Sequence, residues 1–319
     1  MRVAPSFVLA LLAGLAAPAH ATYSIVACDA AGSCGAAVAT DNLAVGATVI
    51  HARAGVGAVA TQFETNPAYG PRGLALLQGG MSARDAVAEL VRTDDGFEGQ
   101  DASFRQVGLV GASGPGASFS GSEALASPWA GALQGPGYAI QGNGLRSAGV
   151  ASAMREAFAR GGGALADRLV AALEAGEAAG GLTTGRMSAA LLVRTRDGGF
   201  QDIDLRVDAA EQPVPELRRL LGLHEANDAM VGAERAHRNG DDAGARAALA
   251  QAIRLGFGWD RIWRRAARLQ MALGDRDGAL QSLAAFMHLN PGWARTDMQD
   301  AVFDPLRADR VFLSWQARR

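Results

Sequence analysis

Short apolar runs rich in β-branched or small residues, separated by glycine-marked turns, dominate the first two-thirds of the chain. Residues 22–28 (TYSIVAC) and 35–40 (GAAVAT) form one pair with DAAGS between them, and predict a β-hairpin with a five-residue loop. A second strand pair is predicted over 45–52 and 56–62, joined through Arg53-Ala54-Gly55. Asn66-Pro67 marks a turn. A helix is predicted from Gly73 until Gly79-Gly80 stops it, and another over 82–92 with Ser82 as its N-cap. Further strands are predicted over 105–111, 117–120 and 137–141, helices over 147–160 and 164–175, and a last strand pair over 188–194 and 202–207. That order gives an α+β fold of layered antiparallel sheets. Many of the 41 glycines fall in this part, where they suit tight turns and close sheet packing.

The pattern changes near residue 213. Pro213 and Pro215 bracket an expected break, and from Glu216 the chain reads as helical and rich in Arg, Ala and Leu. Asn239-Gly240-Asp241 recurs as Leu273-Gly274-Asp275, 34 residues later, and the register also pairs Ala233 with Ala267, Gly244 with Gly278, Ala245 with Ala279, Leu249 with Leu283 and Leu255 with Leu289. A 34-residue period with helix–turn–helix patterning is the tetratricopeptide signature. Trp263, Ala279 and Pro291 fall where that motif places them, whereas the first copy has Ala229 and Phe257 in place of the Trp and Pro. Two copies are fewer than an independent array needs, so the unit is expected to lean on the front domain or on residues 296–315. Trp259, Trp263 and Trp293 read as core or as the lining of a peptide groove.

The N-terminus reads as a signal peptide: Arg2, an apolar stretch over 7–17 too short to span a bilayer comfortably, and Ala19-His20-Ala21 as a small-x-small cleavage site. Cleavage after Ala21 divides the chain into a signal peptide (1–21), an α+β domain (22–223) and a helical domain (224–319), and places the protein in the periplasm or beyond. No later apolar run is long enough to span a membrane, so no membrane association is expected after cleavage. In an oxidising compartment the two cysteines, Cys28 and Cys34, are expected to form a disulfide.

Net charge is −2 with no basic block, which argues against nucleic acid or anionic membrane as a partner. There is no lysine, which excludes a lysine base, a Schiff base or a P-loop. There is no G-x-S-x-G, and His51 is the only histidine of the front domain, so a serine triad is not supported. No histidine–carboxylate spacing suggests a metal, and no cofactor is implied.

Signal cleavage itself creates chemistry. Thr22 acquires a free α-amine beside its own hydroxyl. A hydroxyl alone is a weak nucleophile, but an α-amine with an unperturbed pKa of about 7.7–8.0 is partly neutral at pH 7 and can take the hydroxyl proton. Thr22 is therefore a candidate nucleophile, or otherwise an ordinary β-branched residue at a strand start. Asn66 and Asn143 are candidate donors to a developing oxyanion, or turn residues. Ser188 is a candidate proton relay, or a strand residue. Asp204, Arg206 and Asp208 alternate on one strand face as an ion-pair set.

The segments TYSIVA, AVGATVIHARAGVGAVATQ, TNPAYGPRGLALL, GYAIQGNGL, LEAGEAAGG, SAALLV and DLRVD, collinear over about residues 22–223, resemble the DUF1028 family, which is similar to N-terminal nucleophile (Ntn) hydrolases. The resemblance implies a four-layer αββα fold and an N-terminal catalytic Thr, here Thr22. It implies no substrate. It also suggests an oxyanion-facing backbone N–H near Thr61-Gln62, and a role for Arg53 in holding the α-amine neutral, or else an exposed charge at a hairpin tip. Met187 and the Cys28/Cys34 pair depart from the family's pattern. The function expected is that of an Ntn-type amidohydrolase or acyltransferase acting on a peptide or small amide. The alternative is a non-catalytic scaffold whose helical repeats bind a peptide or protein.

Overall fold

The computed structural model describes residues 21–317, so the expected signal peptide up to His20 lies outside the described residues. The described chain divides into two compact units at Leu217/Arg218.

The first unit is built on two antiparallel sheets. Strands β1 (Thr22–Cys28), β2 (Cys34–Thr40), β3 (Ile50–Arg53) and β4 (Gly57–Phe63) come first, followed by helices α1 (Tyr69–Gln78) and α2 (Ala83–Arg92). Then follow β5 (Arg105–Gly111), β6 (Ala117–Ser120), α3 (Ser122–Ala126), β7 (Gly131–Gly135), β8 (Tyr138–Asn143), α4 (Ala148–Arg160), α5 (Leu165–Ala178), β9 (Ser188–Arg194) and β10 (Ile203–Val207). One sheet has the order β10-β9-β2-β1-β8-β7, the other β3-β4-β5-β6.

Side-chain alternation explains how the layers form. Val26, Ala36, Val38, Ala139, Ala190 and Leu192 of the larger sheet meet Ala58, Ala60 and Val110 of the smaller one in a single apolar cluster. The intervening residues of β1 and β2 point the other way, towards α5: Gly176 of α5 lies against Tyr23, and Leu169 against Gly35. The outer face of the smaller sheet, with Val59, Val107 and Leu109, packs on Leu74, Leu77, Val87 and Leu90 of α1 and α2. Strands β1 and β2 are buried on both faces, which is why they read as unbroken apolar runs. Ser82 caps α2 by accepting the Asp85 N–H at 3.2 Å.

Several expectations change, among them the start of α1, which lies at Tyr69 rather than Gly73. The strand over 45–52 is shorter: Val45–Ala47 is a 3-10 turn and the strand starts at Ile50. The reason is close approach and a left-handed Ala44 (φ 54°); a Cβ on Gly46 would come within 2.5 Å of the Ala190 side chain. Elements α3 and β7 are additional; β7 (GALQG) is only half-buried and carries no apolar signal. Pro213 and Pro215 mark no break but the first turn of a 26-residue helix, α6 (Pro213–Arg238). Proline costs nothing there, because the first-turn N–H groups have no intrahelical acceptor.

The second unit continues with α7 (Asp242–Leu255), α8 (Asp260–Ala272), α9 (Arg276–Leu289), α10 (Pro291–Asp297) and α11 (Arg310–Ala317). The 34-residue shift recurs in its local structure. Asp241 caps α7 through the Gly244 N–H at 2.8 Å, and Asp275 caps α9 through the Gly278 N–H at 3.0 Å. Left-handed Gly240 and Gly274 (φ 80° and 72°) precede these caps. Ala245 and Ala279 are both fully buried, and Met298, Phe303, Leu306 and Phe312 of the tail cover Ala267, Ala279 and Leu283. Trp263 is buried, its indole N–H donating to the Phe257 carbonyl at 2.7 Å. Among the described residues no helix is long and apolar enough to cross a membrane, and no cluster of potential metal ligands occurs.

Candidate functional site

The first hairpin sets the site. Cys28 pairs with Cys34 in the β1–β2 ladder and the two form a disulfide with Cα atoms 4.1 Å apart. That register carries down the hairpin to pair Thr22 with Thr40. On the flanking strands Asn143 lies opposite Thr22 and Ser188 opposite Thr40. Ser188, Thr40, Thr22 and Asn143 therefore form one row across four strands, on the face turned towards the second sheet.

With Ala21 still attached, Thr22 N–H donates to Asn143 Oδ1 at 3.2 Å. Thr22 Oγ1 lies 3.0 Å from Thr40 Oγ1. The Thr40 hydroxyl has one proton, and it donates to the Ala21 carbonyl at 2.8 Å, so the Thr22 hydroxyl is the donor of the pair. Asp41 borders the same end of the hairpin; its Oδ1 accepts the Ala21 N–H at 3.0 Å.

The second sheet supplies an amide network that fixes this row. Gln106 Oε1 accepts from Gln62 Nε2 at 2.7 Å and from Asn143 Nδ2 at 2.9 Å. Gln106 Nε2 donates to Ser120 Oγ and to the Gly142 carbonyl, both at 2.9 Å. Gln62 Nε2 also donates to the Thr22 carbonyl at 3.2 Å. Ser24 Oγ donates to Gln62 Oε1 and accepts from Gln141 Nε2, each at 2.5 Å. Because Asn143 Nδ2 is committed to Gln106, its oxygen must face the Thr22 nitrogen. Gln62, Gln106, Gln141 and Asn143 are all buried and uncharged, so the orientation is held by hydrogen bonds rather than by ion pairs.

Of the other candidates, Gln62 and Ser188 adjoin Thr22 and Thr40, whereas Thr61, Asn66 and Arg53 do not join the row. Thr61 and Gln62 are adjacent, so their side chains point to opposite faces of β4 and only Gln62 meets the row. The Thr61 N–H donates to the Val49 carbonyl at 2.9 Å and is not free for an oxyanion. Asn66 is a turn residue: its side chain accepts the Ala68 N–H and donates to Asp95 at the start of α1. Arg53 is exposed and hydrogen-bonded to Gln78. It pairs with Gly57, five residues along β4 from Gln62, about 17 Å at the usual rise per residue. Ser188 stands one strand beyond Thr40, where it donates to the Asn42 carbonyl at 2.6 Å and accepts the Val45 N–H at 3.1 Å, tying down the loop after β2. His51 pairs with Val59 on β3; burial lowers its pKa, against the opposing effect of the Thr48 carbonyl, so its imidazole is neutral at pH 7.

Thr40, Asp41, Ser24, Gln106 and Gln141 complete the site without having been expected. Thr40 was readable: a disulfide-closed hairpin pairing Cys28 with Cys34 puts Thr40 opposite Thr22. The glutamines had no local signal, because they arrive by strand pairing and sheet stacking.

A cavity of about 420 Å³ adjoins this end of the sheet, lined by Tyr23, Thr40, Arg146, Glu177, Thr183 and Arg186 among others. Burial, with the Glu177 carboxylate next in weight, pushes the Tyr23 phenol well above its ordinary pKa, so it is neutral there. A larger cavity, about 890 Å³, lies at the other end of β4 and β5, around Gly55, Val56, Gly111 and Ala112. It holds none of the residues of the Thr22 row.

Among solved structures, protein SPO2555 from Silicibacter pomeroyi, whose crystal structure is described as that of a DUF1028 protein, is similar to this chain. The two share 31% identity with a TM-score of 0.56, over 63% of this chain and 88% of that one. Among curated proteins no match is found. The family match runs over residues 22–217, and the chain belongs to DUF1028, a family of unknown function.

Proposed function

We propose that this protein is an exported Ntn-type amidohydrolase in which Thr22, freed at its nitrogen by removal of Ala21, is both nucleophile and base. The observation that carries the reading is the placement of Thr22 at the first position of a central, doubly buried strand, with Asn143 Oδ1 on its nitrogen and the Thr40 hydroxyl on its Oγ1. The two sheets with helices on both outer faces are consistent with an Ntn-like αββα sandwich. The disulfide agrees with an oxidising compartment.

In the reaction, Thr22 Oγ attacks the carbonyl carbon of an amide. Its proton passes to the Thr22 α-amine and then to the leaving nitrogen as the C–N bond breaks. Water hydrolyses the resulting ester, releasing the acid and restoring the hydroxyl; an amine in place of that water makes the reaction an acyl transfer. Asn143 holds the amine in line, and the amide network holds Asn143. The recurring caps of α7 and α9 support a tetratricopeptide-like helical domain, which gives the protein a surface for a peptide or protein partner.

A second reading, a non-catalytic scaffold serving the helical domain, is favoured by the burial of Thr22, only 5% exposed with Ala21 in place. A β-lactone acylating probe separates the two. Mass spectrometry of the chain beginning at Thr22 should locate the acyl group on Thr22. An unmodified Thr22 with label elsewhere, or none, would favour the scaffold.

A further inference from the structure

Ala21 is held like a ligand. It is fully buried. Its carbonyl oxygen accepts from Thr40 Oγ1 at 2.8 Å and from the Asp41 N–H at 3.3 Å, and its own N–H donates to Asp41 Oδ1 at 3.0 Å. Its methyl group faces Gly144, where an added Cβ would lie 2.5 Å from the Ala21 Cβ. Gly144 has φ 62°, a conformation that favours glycine, and its missing Cβ is what leaves room for the Ala21 methyl group. The smallness of residue 21 is what a signal peptidase selects. The fitted niche with three hydrogen bonds is a property of the folded domain.

An acyl group carried on Thr22 Oγ1 lies in the space next to that taken by an acyl group on the Thr22 nitrogen, because both atoms belong to one residue. When Ala21 leaves, two donors for a carbonyl oxygen and one carboxylate acceptor are left beside Thr22 Oγ1. We propose that the Ala21 niche is the acyl subsite of the mature enzyme, and that its substrates are amides of alanine or glycine residues. This rests on Thr22 being the nucleophile. Thr40 Oγ1 and the Asp41 N–H hold the carbonyl oxygen and its developing charge. The Asp41 carboxylate takes the N–H of the acyl residue, and Gly144 excludes longer or branched side chains. The bonds made and broken are those of the reaction above: an ester forms at Thr22 Oγ, the amine leaves with the proton, and water releases alanine- or glycine-terminated acid.

The test reads binding without turnover. The chain beginning at residue 22 with Thr22→Ala is titrated calorimetrically with the amidated tetrapeptides Pro-Ala-His-Ala and Pro-Ala-His-Leu, the first reproducing residues 18–21. The alanyl peptide should bind at least about tenfold more tightly, as a close-fitting pocket demands. Asp41→Ala should weaken it by about tenfold, the effect of losing a charged hydrogen bond, and leave the leucyl peptide unchanged. Equal affinity for the two peptides, or no binding of the alanyl one, overturns the proposal, and this comparison needs no change at Asp41. Alanyl-selective binding together with a Thr22 that no β-lactone labels would remove the nucleophile and leave the niche. A labelled Thr22 with equal affinities would do the reverse.

Discussion

Gln106→Leu tests whether the amide network holds the Thr22 row. Gln106 is fully buried and its side chain makes four hydrogen bonds, at 2.7, 2.9, 2.9 and 2.9 Å. Leucine fills nearly the same volume, so little cavity is created and the change is almost purely polar. Gln62 Nε2 keeps the Thr22 carbonyl, and Ser120 is only partly buried and can turn to water. Asn143 Nδ2 is left without a partner among the described residues, at about 1–3 kcal/mol for a buried orphaned donor. With about 1 kcal/mol for the other lost bonds, the expected loss is about 2–4 kcal/mol, tolerable against a typical domain stability of about 5–15 kcal/mol. Four of the five tryptophans lie in the helical unit, so whole-chain fluorescence is the wrong probe. Hydrogen exchange of the β1 and β8 amides reads the front unit directly. The β-lactone should also label Thr22 more slowly, because an unrestrained Asn143 can turn its NH₂ towards the amine. A loss below about 0.5 kcal/mol, the scale of an ordinary surface change, would refute the argument.

Other consequences can be checked separately. Reducing the Cys28–Cys34 disulfide, or replacing both cysteines by serine, should lower the melting temperature. The cost should be under the roughly 3 kcal/mol of a 15-residue loop, because the closed loop is shorter, and β1 should exchange faster. Asp94 pairs with buried Arg105 at 3.1 Å. Burial alone would raise its pKa, but hydrogen bonds from Tyr69, the Gly96 N–H and Arg105 outweigh it and hold the carboxyl below the usual range. A depressed folded-state pKa contributes stability above the unfolded value of about 3.9 that fades as pH falls through the folded value. Asp94→Asn should therefore cost about 3–5 kcal/mol at pH 7, with the gap to the parent narrowing in acid denaturation series; a widening gap would contradict the sign. Ala279→Leu should overpack the helical unit by about 1–3 kcal/mol, seen as an earlier tryptophan transition with front-unit exchange unchanged.

Local patterns carried most of the elements. The first hairpin, β5, β6, α2 and the 34-residue recurrence were all visible in residue order, since each depends on neighbours in sequence. The misses are places where tertiary contact overrides pattern: Gly46 wedged against β9, half-exposed β7, and prolines that start α6. At the site, Thr22 and Asn143 were legible, but Asn66 looked equivalent to Asn143 because a turn amide and a strand-end amide read alike. Gln62 was named alongside Thr61, and only strand alternation tells them apart. Gln106 and Gln141 depend on which strands stack, information that no single segment holds.

For Thr22 to act as both nucleophile and base, its nitrogen must be an amine. The most direct measurement compares β-lactone acylation of Thr22 in two otherwise identical chains, one beginning at Thr22 and one retaining Ala21. In the second the nitrogen is an amide that cannot take the hydroxyl proton, and Ala21 fills the niche beside the hydroxyl. The first should be labelled rapidly and the second almost not at all. Equal labelling of the two would contradict that requirement.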